Sequence, residues 1–179
     1  MEAGEVPIPQ AACAGAASHG AASLPDAART QVDKVLRAWE LVVPTDVIGA
    51  TDEKVARIII RTAIHVKARW SHAQRLYFLD SLLATQAVYR DSILRIGNAY
   101  GFNACEDPEV LARWCQLLVR HNCQDHLPVL ERLLRSPGGG APVLQVWQAM
   151  IEKGREEIRW KFHVQDLWKS VEPGLDADA

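Results

Sequence analysis

The chain has 179 residues, 49% of them apolar, with 20 Lys and Arg against 22 Asp and Glu and a formal charge of −2. That length carries one ordinary domain with a real core. The mixed, near-neutral charge argues against a nucleic-acid binder, which shows a basic face or stripe, and against an acidic, self-solvating disordered chain.

Residues 1–25 are rich in Ala, Gly, Ser and Pro, show no apolar periodicity and read as a flexible tail. The tail opens with Glu2 and Glu5 and has no basic start or strong apolar block, unlike a secretory signal. Its Ala-rich, acid-poor middle is similar in composition to an organelle transit peptide, but the first basic residue is Arg29. After Pro25, the spacing of Val32, Val35, Leu36 and Trp39 predicts a first helix, broken at Val42-Val43-Pro44 because proline cannot continue it. Thr51 is placed to cap a second helix, with Asp52 and Glu53 at its start and Val55, Ile58, Ile59, Thr62 and Val66 as its stripe. The β-branched run at 58–60 also suits a strand, but the neighbouring segments are all helical.

Ser71 and Gln74 form a capping-box pattern ahead of Leu76, Leu79 and Leu83. A helix from about residue 88 carries Tyr89, Ile93, Ile96 and Tyr100 in register and stops at Gly101. Asp107 is a natural N-cap and Pro108 suits the first helical position; Leu111, Trp114, Cys115 and Leu118 share one side of the helix that follows. That helix ends near His121-Asn122. Another, from about 125, carries Leu127, Leu130 and Leu134, with Pro128 in its first turn, and stops before Pro137-Gly138-Gly139-Gly140, a flexible hinge. The next begins around Pro142, carries Leu144, Trp147 and Ile151, and has Gly154 placed to end it. The last has Trp160, Val164, Leu167, Trp168 and Val171 on one stripe and ends before Pro173. The prediction is an all-α fold, an armadillo- or HEAT-like α-solenoid of about seven or more antiparallel helices with short links.

No apolar run is long enough to span a bilayer, so no membrane contact is expected. Cys13, Cys105, Cys115 and Cys123 include no CxxC pair, which favours a reduced, cytoplasmic setting. Cys115, His121, Cys123 and His126 form the tightest polar cluster, with Cys105 nearby, but their spacing is wrong for a structural zinc site, so no metal is expected. Trp39, Trp114, Trp147, Trp160 and Trp168 fall on apolar stripes and read as core; Trp70 lies at a helix junction. Arg57, Arg61, Lys67, Arg69 and Arg75 make a basic region, either a solvated face or one turned towards an acidic partner domain. Glu156 and Glu157 read as macrodipole partners at an exposed helix start. No phosphate loop and no GxSxG elbow occur.

Residues 100–114 carry a composite pattern: Tyr100, Phe102, Asn103, Ala104, Glu109, Val110, Arg113 and Trp114. With the flanking helices, including Ser71-His72 at one start and Pro142 after the Gly-rich turn, it makes the chain from about Trp70 to Trp168 resemble the C-terminal helical domain of the leukotriene hydrolase and aminopeptidase B family of zinc aminopeptidases. The expected organisation is then a tail (1–25), N-terminal helices of uncertain family (26–69), the family-type helical domain (70–172) and a frayed end (173–179). That family's zinc site is HExxH plus a downstream Glu, and no histidine of this chain is followed by glutamate. The resemblance therefore implies a non-catalytic domain that walls a substrate cleft, with zinc held by a separate catalytic domain in cis or from a split gene, and peptides as indirect partners. It also implies basic residues that meet the substrate carboxylate. The matching turn, Ser136 to Gly140, has none, which leaves Arg132 and Arg135 just upstream as candidates. The competing reading is a stand-alone solenoid interaction module.

Overall fold

The structure, a computed structural model, describes residues 24–42, 48–85, 87–136 and 140–171. Among them it forms helices α1 (Asp26–Glu40), α2 (Ile48–Ile64), α3 (His72–Ala84), α4 (Arg90–Tyr100), α5 (Pro108–Arg120), α6 (Leu127–Leu134), α7 (Gly140–Glu156) and α8 (Ile158–Val171). A π turn (His65–Arg69) follows α2, and single 3₁₀ turns lie at Phe102–Ala104 and Gln124–His126. No strand occurs among the described residues. No helix among them is long and apolar enough to cross a membrane.

The odd-numbered helices form a row: α1 packs on α3, α3 on α5 and α5 on α7. The others attach beside it, α2 on α1 and α4, α6 on α5, and α8 on α7. This is the α-solenoid the periodicity predicts, and one hydrophobic cluster runs through it from Val32 to Val164. In α1, Val32, Val35, Leu36 and Trp39 are all buried. The segment at 58–60 is helical, because Ile58 and Ile59 pack against the core on a 3.6-residue period that alternation would lose. At the π turn the Trp70 amide reaches back to the His65 carbonyl at 2.9 Å. The wider turn places Val66 and Trp70 on one side, and both are buried.

Several boundaries differ from the sequence reading. Leu24, assigned to the tail, is only 6% exposed, and Pro25 precedes the first turn of α1. The remaining tail, Val43-Pro44, residues 137–139 and residues 172–179 lie outside the described residues. Thr51 is inside α2, not ahead of it. The capping box at Ser71 and Gln74 is present in both directions, but α3 is flanked by α1 and α5, so Phe78 and Leu82 are buried and Leu83 only partly. Tyr89 precedes α4 and is 45% exposed; Val88 takes the buried place. In α7 the buried residues are Val146, Trp147 and Met150, and Leu144 faces out. Trp70 is buried with Trp39, Trp114, Trp147 and Trp160, while Trp168 is half-buried and meets Trp147 edge-on at 5.5 Å.

Gly154 does not end α7, which runs on to Glu156. A Cβ at Gly154 would lie 3.2 Å from both the backbone nitrogen and the Cα of Lys161. The glycine lets α8 fold back against α7. Glu156 ends α7 and Glu157 sits in the joint, where the Lys153 ammonium pairs with Glu157 at 2.7 Å and Glu156 at 3.3 Å. The pair thus acts across the end of α7, and hydrogen bonding to Glu157 raises the Lys153 pKa. A Gly154→Val substitution drives a branched side chain into backbone that cannot swing aside. Urea unfolding is expected to show a loss of about 1–3 kcal/mol, with far-UV circular dichroism still helical.

Candidate functional site

The turn between α4 and α5 gathers more of the fold than any other segment. Gly101 closes α4 in the left-handed region at φ 78°, and its amide bonds to the Gly97 carbonyl at 3.0 Å. Asp107 Oδ1 then accepts from the amides of Glu109 and Val110 at 3.0 and 3.1 Å, capping α5 as its position predicts. Phe102 is buried between Phe78 and Trp114, its ring 6.2 and 5.5 Å from theirs. Tyr100 meets Trp39, Phe78 and Phe102 edge-on.

The polar tips of Trp39, Tyr100 and Trp114 are each answered, while Asp80 Oδ2 is buried without a partner among the described residues. Trp39 Nε1 donates to Tyr100 Oη at 2.7 Å. Thr62 Oγ1 gives its one proton to the Ile58 carbonyl at 2.7 Å, so at 2.6 Å it is Tyr100 that donates to Thr62. Trp114 Nε1 donates to Asn103 Oδ1 at 2.9 Å, and Asn103 Nδ2 donates to Asn98 Oδ1 at 2.9 Å. Arg113 Nε binds Asp80 Oδ1 at 2.7 Å, joining α5 to α3. His72 Nδ1 lies 2.8 Å from Asp107 Oδ2 and joins their first turns. Beside this knot is an open cleft of about 410 Å³ whose lining includes Lys67, Arg75, Gly101, Cys105 and Glu106.

Arg132 lies at the same turn. Its Nη2 donates to the carbonyls of Asn103 at 2.8 Å and Cys105 at 3.2 Å, tying α6 to the signature segment. Arg135 points elsewhere and pairs with Glu131 at 2.7 Å. The structure therefore separates the two arginines that the sequence paired. In the basic region, Arg57 pairs with Glu53, Arg75 donates to the Lys67 carbonyl at 2.7 Å, and Arg61, Lys67 and Arg69 are exposed.

Cys115 and Cys123 are fully buried and free. Burial pushes the Cys115 thiol far above its ordinary range and the Cys123 thiol up to about 11. The Cys115 and Cys123 sulfurs lie 4.0 and 3.7 Å from the carbonyls of Val129 and His121. Burial, then Arg120, lowers the His121 pKa. Among the described residues no group of three or more His, Cys, Asp or Glu could hold a metal.

The family model for leukotriene A4 hydrolase, C-terminal, matches residues 70–163. The chain belongs to this leukotriene A4 hydrolase C-terminal family. No curated protein and no solved structure matches it. The matched segment starts at Trp70, where the π turn ends, and contains the whole aromatic knot except Trp39 and Thr62 of the two preceding helices.

Sequence reasoning found Asn103 and Trp114 as parts of a pattern but missed what they do. It also missed Gly97, whose signal is a glycine inside a helical pattern. A Cβ at Gly97 would sit 2.4 Å from Trp114 Cζ2, so the indole lies against bare α4 backbone. Two outcomes are expected. Asn103→Ala strands the buried Trp114 N–H and costs about 1–3 kcal/mol in urea unfolding, whereas Gly97→Ala displaces the ring and shifts the Trp fluorescence of the folded state as well as lowering stability. A third concerns pH. The Cys123 thiol and the Tyr100 hydroxyl both have folded pKa values raised by burial. The unfolded chain therefore releases these protons first, and stability falls as pH rises from about 9 towards 11. Thermal melts across that window check the sign, and Cys123→Ala should flatten the slope.

Proposed function

We propose that this chain is the non-catalytic helical domain of a zinc metalloaminopeptidase of the leukotriene hydrolase type, walling one side of the substrate cleft and limiting which peptides reach the metal. The observation that carries this reading is the use made of the family signature. Asn103, Arg113 and Trp114 of the signature, with the N-cap Asp107 between them, have their polar groups turned to one another, to Asp80 and to helix amides. A signature spent on rigidity suits a scaffold whose job is to hold a surface still beside another domain's chemistry. Zinc and the water it activates belong, on this reading, to a catalytic domain in cis or encoded separately, and the setting is cytoplasmic. A rigid wall excludes folded proteins and keeps bulk water from the substrate, which strengthens charge interactions there. Arg135, exposed and held by Glu131, is our candidate for meeting a peptide carboxylate, because Arg132 Nη2 is engaged by the turn it braces.

The test is reconstitution. A leukotriene hydrolase-type catalytic domain lacking its own helical domain is mixed with the purified chain. A one-to-one complex with a changed peptide-length preference is expected, while the chain alone neither turns over an aminoacyl arylamide nor carries stoichiometric zinc. Arginine-to-alanine replacement at position 135 should then raise KM for peptides with a free carboxylate and leave kcat and folding unchanged. Turnover by the isolated chain, or no complex, overturns the reading. In the second case the solenoid is an independent interaction module.

A further inference from the structure

The cleft beside the α4–α5 turn holds charges that the fold does not answer. Lys67 and Arg75 line it, together with the carboxylates of Glu106 and Asp107. Asp107 is already engaged, since Oδ1 accepts from two amides and Oδ2 lies 2.8 Å from His72 Nδ1. Lys67, Arg75 and Glu106 make no ion pair among the described residues, with one another or with any other group. The two cations are placed by one stretch of backbone. Lys67 belongs to the π turn at His65–Arg69, and its stem runs past Gly101, where a Cβ would lie 3.6 Å from Lys67 Cε. The Lys67 carbonyl accepts from Arg75 Nη2 at 2.7 Å, which fixes the guanidinium and leaves its other donors unused among the described residues. Single π turns recur at functional sites. Like charges held in one cleft repel each other, and an anion shared between them relieves this.

We propose that this cleft binds a free α-amino acid with a small apolar side chain. The ligand's carboxylate meets Lys67 and Arg75, its ammonium meets Glu106, and its side chain rests against Ala104 and Cys105. A zwitterion answers both signs of charge at once. Inorganic phosphate suits the cations but brings further negative charge to Glu106. The interior of an acidic peptide does the same, because it has no ammonium to offer. The volume, about 410 Å³, is that of a small-molecule site. The cleft is open to water, so its charged contacts are screened and the expected Kd is on the order of 1 mM. Arg135 does not line the cleft, so this site is distinct from the carboxylate anchor proposed above.

Titration of the full, isotope-labelled chain with L-valine tests this, read from its NMR amide shifts. The amides of Gly101 to Cys105 should shift and saturate. Isovalerate, which is valine without its ammonium, and isobutylamine, which is valine without its carboxylate, should each bind about tenfold more weakly. Lys67 and Glu106 are exposed, so their replacement leaves the fold intact, which circular dichroism checks. Lys67→Gln should weaken valine and isovalerate alike by about tenfold, whereas Glu106→Gln should weaken valine by about tenfold and leave isovalerate unchanged. No saturation by about 100 mM valine would overturn the proposal. So would isovalerate, isobutylamine or phosphate binding as tightly as valine, or valine binding that is indifferent to either substitution. The chain alone is titrated, so none of these outcomes depends on its joining a zinc domain.

Discussion

The Trp114 indole pressed against bare backbone at Gly97 is the constraint on which the rest of the fold depends. Any side chain at residue 97 would occupy the ring's place. With the ring there, its N–H points at Asn103, which fixes the turn after Gly101. That turn in turn presents two carbonyls to Arg132 of α6 and lays Phe102 between Phe78 of α3 and Trp114 of α5. One close approach thus sets the positions of four helices. The energy of such a site lies less in any single hydrogen bond than in what breaking one leaves behind. A buried indole N–H without an acceptor has no water to turn to.

The knot also reaches the helices outside the matched segment. Tyr100 accepts from Trp39 of α1 and donates to Thr62 of α2. Gln74 of α3 donates to the Ala28 carbonyl of α1 and Tyr77 to Asp33, at 3.4 and 3.0 Å. The first two helices are therefore continuous with the family domain in packing and in polar contacts. A row of stacked helices gains from this, because each added pair covers an apolar face that would otherwise meet water.

Much of this was legible in the sequence where the signal was periodic. The stripe Val32, Val35, Leu36 and Trp39, the capping box at Ser71 and the stop at Gly101 all stand where spacing and cap chemistry put them. The failures share one cause. Counting along one helix puts Tyr89 and Leu144 on stripes, but which residue is buried depends on how many neighbours the helix has. The α3 helix, held between two others, buries two sides and blurs any single stripe. Gly154 predicts a stop because a glycine near a helix end is usually a cap. Its contact with Lys161 is made by the next helix, and no local pattern reports that.

The candidate site was less legible, for a related reason. Arg132 and Arg135 are three residues apart and share a helix end, so their sequence positions suggest a common role. The structure gives one to backbone carbonyls of a distant turn and the other to a glutamate one turn back. Charge alone cannot distinguish a guanidinium that braces from one that binds, because both need the same residue. What distinguishes them is the acceptor. Peptide carbonyls within the fold hold Arg132 Nη2, whereas the carboxylate of Glu131 leaves Arg135 most of its donors. Under the proposed function, the guanidinium left to reach a peptide is therefore the one that the knot has not already engaged.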